Sequence, residues 1–184
     1  MVPDHLSTYL NDHLAGAVAA LEMLPHVAEA HGDILDAEAI RRVEREVRED
    51  RSTLESLMQQ LGVEHHPVRR AAGWLAERLT RLKMVADDPA GGTLRAFETI
   101  ELISLGIEGK ISLWMSLSAV APGHSVLSTM NYSDLIARAR NQRALLEPLH
   151  ATAARAALRP DSSRPSHDRE RWPSPGPTAA DERK

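Results

Sequence analysis

Glutamate and histidine at helical spacing are the residues of this 184-residue chain that could do chemistry. In helical bundles that hold a pair of iron or manganese ions, two helices give one Glu each. The other two give Glu-x-x-His, whose i,i+3 spacing puts both groups on the inner face. Carboxylate oxygen and imidazole suit those metals. Here only Glu147-Pro148-Leu149-His150 reads Glu-x-x-His. It contains a proline, and His150 follows Leu149, which faces inward. Glu46-Val47-Arg48-Glu49 flanks an apolar position, and Glu22 falls on a polar side. The ligand set is incomplete, so no di-iron site and no cofactor is expected.

The interior positions hold a different set. At 100° per residue, His13 shares a face with Leu6, Leu10 and Ala17, and Asp50 with Val43, Val47 and Leu54. Glu101 and Glu108, one heptad apart, share a face with Leu94, Phe97, Leu105 and Met115, and Gln142 lies on an inner stripe. The favoured reading is a buried hydrogen-bonded network, because buried polar groups must be satisfied. The alternative is an atypical iron or manganese site with His13, Asp50, Glu101 and Glu108 as ligands. Clustered carboxylates raise one another's pKa, so they need protons, Arg or Lys partners, or a metal. On either reading all four residues are expected to be substantially buried.

Five helical segments must position these groups. The first runs from about Asp4 to His31, with Leu6, Leu10, Leu14, Ala17, Leu21, Leu24 and Ala28 on one face. Gly32 suits a left-handed position after its end, and Pro25 is expected to bend it. The second runs from about Ile34 to Leu61 and stops at Gly62-Val63. The third is shorter, from about Pro67 to Val85, with Val68, Ala72, Leu75, Leu79 and Leu82 in a stripe. The fourth starts after Thr93, read as its N-cap, and reaches about Val120. It is apolar nearly all round, and Gly106 and Gly109 would allow a close backbone approach. The fifth starts near Asn131 or Ser133, ends about Leu158, and carries Pro148 as a possible kink.

Four segments are long and the third is short. A short link makes the first two an antiparallel hairpin, and the last two make another. Two hairpins joined by one long crossover is the connectivity of ferritin-like bundles. The expected fold is therefore all-α: an up-down four-helix bundle over residues 1–158, with the short helix on the crossover. Residues 159–184, rich in Pro, Ser and mixed charge, are expected to form a disordered tail.

Tyr9-Leu10-Asn11-Asp12-His13-Leu14-Ala15-Gly16 resembles the opening of an uncharacterised bacterial family of ferritin-like proteins. Gly73-Trp74-Leu75-Ala76-Glu77-Arg78 and Leu105-Gly106-Ile107-Glu108-Gly109-Lys110 are similar to that family too. The resemblance spans about residues 6 to 158. It implies the fold and carries no activity with it.

The composition narrows function by exclusion. With no Cys, disulfides, thiolate metal sites and Cys nucleophiles are excluded. A net charge of -4 without a basic face leaves no nucleic-acid footprint. No apolar run is long enough to span a membrane, so a cytoplasmic protein is expected. His65-His66 and His124 read as loop residues. The favoured function is a non-catalytic helical protein that works by association, as a homodimer or with a protein partner, since the fourth segment has apolar residues on every side. Metal binding is the alternative. A third possibility is a ligand pocket lined by Trp74, Trp114 and Met115.

Overall fold

The computed structural model describes residues 3–65 and 92–159. These fold into four long helices: α1 (Asp4–Ala30), α2 (Ala37–Gln60), α3 (Thr93–Val120) and α4 (Tyr132–Leu158), with a 3-10 turn at Leu127–Thr129. No strand occurs among the described residues. The short helix expected from about Pro67 to Val85, and the tail from Pro160 onward, lie outside them.

The helix ends follow from local chemistry. The Asp36 carboxylate accepts the N–H groups of Glu38 and Ala39 at 3.0 Å each, capping α2. At its other end Gly62 takes φ +69°, and Val63 N–H reaches Met58 O at 2.9 Å while Gly62 N–H reaches Gln59 O at 3.0 Å. These are the two bonds of a Schellman stop, and Val63 is buried beneath it. Asn131 caps α4 by accepting the Asp134 N–H at 3.3 Å.

Two expected caps differ. Thr93 is the first helical residue of α3, and the residue before it, Gly92, has φ +83° and caps without a side-chain bond. Gly32 does not take positive φ. It is needed for space instead, since a Cβ there would lie 2.8 Å from Ala28 O. Pro25 and Pro148 both lie inside continuous helices.

The core has two halves, and their membership fixes the helix directions. Leu10 and Leu14 of α1 meet Leu57 and Met58 of α2, Trp114 and Leu117 of α3, and Leu135 of α4. At the other end Val27, Ile40, Ile100 and Leu149 meet. Adjacent helices in sequence are thus antiparallel within each pair, while α2 and α3 run the same way. The ends of the described segments agree: Glu64 O accepts from Asn11 near the start of α1 at 3.2 Å. Gly92 lies against His31 at the end of α1, where an added Cβ would come 3.1 Å from the imidazole.

The all-round apolar character of α3 divides between inside and outside. Ile100, Ile103, Ile107, Ile111 and Trp114 are buried, whereas Leu94, Leu105, Met115 and Val120 are exposed. No helix among the described residues is long and apolar enough to cross a membrane.

Candidate functional site

A charge cluster sits between the two halves of the core. Its centre is Asp50 on α2, 3% exposed. Asp50 Oδ2 accepts from Lys110 Nζ of α3 at 2.5 Å and from Gln142 Nε2 of α4 at 2.9 Å. Asp50 Oδ1 accepts from Arg138 Nε of α4 at 2.7 Å, and Arg138 adds a second bond through Nη2. Lys110 Nζ also donates to Gln142 Oε1. Glu49 lies 3.7 Å from the outer side of the Arg138 guanidinium.

Three helices therefore meet on one carboxylate, and helical phase brings them there. Asp50 follows Val43 and Val47 on the inner stripe of α2. Lys110 lies between Ile107 and Trp114 on that of α3, and Gln142 between Ala139 and Leu146 on that of α4. Burial disfavours the charged form of Lys110 and pushes its pKa down, a pull that the Asp50 carboxylate opposes. An ion held by three partners with both oxygens saturated is a positioning device for helices. It leaves Asp50 no free lone pair directed at a reactant.

The four residues singled out from the sequence are not brought together. His13 and Asp50 line one groove, between α1, α2 and α3. Glu101 and Glu108 line a separate depression on the outer side of α3 and α4, with Arg143, Glu147 and His150. His13 is half-buried, stacked edge-on against Tyr9 with ring centroids 4.6 Å apart. Burial lowers its pKa below the ordinary 6.5, against an opposing pull from Asp12. Among the described residues no three His, Asp or Glu side chains form a group that could hold a metal ion.

Glu108 corrects the expectation of burial. Its side chain is 56% exposed and lies 3.4 Å from Arg143, itself half exposed. Glu101 is only partly buried. Both positions sit at the border of an apolar arc so wide that helical phase does not say which edge faces water. His150, the histidine of Glu-x-x-His, packs its ring on Phe97 with centroids 5.0 Å apart. Glu108→Ala is accordingly expected to change stability by less than about 0.5 kcal/mol in urea unfolding, the usual yield of an exposed ion pair.

Lys110 and Arg138 were not singled out by the sequence reading, although the signal existed. A buried Asp50 demands a cation, and Lys110 and Arg138 are basic residues at inward helical phase. Of the three pocket residues expected from the sequence, Trp114 lines the groove beside Lys110, Met115 is exposed, and Trp74 lies outside the described residues. His124 accepts the Leu127 N–H at 3.3 Å, a turn contact, and His65 is exposed at the end of the α2 segment. Comparison of the chain with family models, with curated proteins and with solved structures finds no match.

Proposed function

We propose that this chain is a ferritin-like bundle that acts without catalysis, by association, and that its first partner is a second copy of itself in the cytoplasm. The parallel course of α2 and α3 supports the connectivity. The 26 residues between His65 and Gly92 are enough for a crossover carrying the short helix from about Pro67 to Val85. The saturated ion cluster supports a structural role for the interior polar groups.

One observation carries the association. Leu94, Leu105 and Met115 fall within a narrow arc of α3 and are 40%, 56% and 52% exposed. The small residues Ser112 and Ser116 are exposed on the same side of the helix. Large apolar side chains held in water along one face are what an interface covers. Between these apolar side chains the same face carries both signs of charge, Glu101 and Glu108 against Arg143. A two-fold axis, the commonest symmetry of small oligomers, would set each acid opposite the other copy's arginine.

The test is Leu105→Glu with Met115→Glu, measured by sedimentation equilibrium. Charges placed in a desolvated interface are expected to weaken dimerisation by about a hundredfold or more, while the helix content by circular dichroism is retained. A variant that associates as tightly as the parent would remove this face from the account.

A further inference from the structure

We infer that residues 67–85 dock on the outer face of α1, along the single row Asn11, Ala15, Ala19, Met23, Val27 and His31. The inference rests on the crossover proposed above and adds the face that the crossover covers.

The row is marked by burial that the core does not explain. At 100° per residue, Ala15 and Ala19 point about 140–180° away from Leu10, Leu24 and Ala28. They belong to neither half of the core, yet they are only 5% and 8% exposed. Asn11 and Met23 are half-buried, and Val27 and His31 are buried. Thr8, Glu22 and His26, on the same side but off the row, are exposed. Residues four apart form a ridge inclined about 26° to the helix axis, a line along which a second helix packs. Two alanines at its middle let that helix come close.

The chain ends select the occupant. Asn11, at one end of the row, donates to the carbonyl of Glu64, just before the segment. Gly92, just after the segment, lies against His31 at the other end. Asn11 and His31 are 20 residues apart, about 30 Å at 1.5 Å per residue. A helix over 67–85 has 19 residues and is about 28 Å long. It spans the row once and runs parallel to α1.

Charge agrees with the path. α1 carries four acids, Asp4, Asp12, Glu22 and Glu29, and of the four helices it alone has no Lys or Arg. The segment carries five Arg or Lys and one acid, Glu77. Asp12 and Glu22 stand exposed three residues from Ala15 and Ala19, on either side of the row. The stripe of Val68, Ala72, Leu75, Leu79 and Leu82 then rests on the alanines. No residue of the row belongs to α3, so this face and the Leu105–Met115 face are tested separately.

The chain has no Cys, so defined pairs can be introduced. In the full chain, Glu22→Cys with Ala76→Cys is expected to be joined within one molecule by a short bismaleimide. Ala151→Cys, exposed on α4 across the bundle, is expected not to be joined to Ala76→Cys. Ala19→Arg puts bulk and like charge on the row. It is expected to raise trypsin cleavage after Arg69, Arg70, Arg78 and Arg81 by about tenfold or more, with helix content retained. The crosslinked pairs serve if that variant fails to fold. Joining of the α4 pair instead would overturn the row and keep the crossover. Unchanged cleavage in a folded Ala19→Arg chain would overturn the row too. Hydrogen exchange of the parent separates the last case: protected amides over 67–85 with neither pair joined would overturn the row alone, and unprotected amides would overturn the crossover helix with it.

Discussion

Asp50→Ala is expected to destabilise the fold by about 3–5 kcal/mol, the cost of breaking a buried ion pair and leaving its partners uncompensated. The substitution strands Lys110 and Arg138 within reach of each other with no anion between them, and removes both acceptors of the α4 bonds. Lys110 suffers most, because burial already pushes it toward its neutral form and Asp50 is the main opposing influence. Asp50→Asn keeps the shape but not the charge, so it is expected to fall between the parent and Ala. By contrast, Asp50→Leu combined with Lys110→Met removes the two most buried ions together and leaves the part-exposed Arg138 to Glu49, so it is expected to recover much of the loss, since apolar replacement of a buried pair is often neutral. Urea unfolding of the three variants separates these outcomes. A loss below about 1 kcal/mol for Asp50→Ala would mean that the cluster does not hold the helices together.

Trp114→Ala is the second large effect, also about 3–5 kcal/mol by the large-to-small rule for aromatic core residues. Trp114 is fully buried in one half of the core, among Leu10, Leu57, Leu113 and Leu117. Its Nε1 has no hydrogen-bond partner among the described residues. The loss is therefore one of volume and contact, and Trp114→Phe, which keeps most of the ring, is expected to cost clearly less. Denaturant midpoints of the two variants measure the difference. An equal cost for Phe and Ala would show that the indole N–H, and not the ring, does the holding.

The helices were legible in the sequence because apolar spacing and punctuation agreed. The Gly62-Val63 stop is where the pattern placed it, and α3 ends at Val120 as read, beginning one residue early at Thr93. Gly32 misled because a glycine after a helix serves either a left-handed turn or a close approach, and the sequence does not distinguish the two. Within the site, Asp50 and Gln142 were legible as polar interruptions of narrow apolar stripes, and both are buried. Glu108 was not, because α3 has apolar residues all round and so offers no reference direction. Lys110 and Arg138 escaped for another reason: a long side chain crosses from one helix to the next, and helical phase gives the start of that reach and not its end.

The measurement that bears most directly on the proposed mode of action is the mass of the full chain in solution across a wide range of concentration. Sedimentation equilibrium is expected to give a weight-average mass that rises with concentration toward twice the 20.3 kDa of one chain. A mass that stays at 20.3 kDa at every concentration would contradict self-association, and the apolar stripe of α3 would then need another explanation.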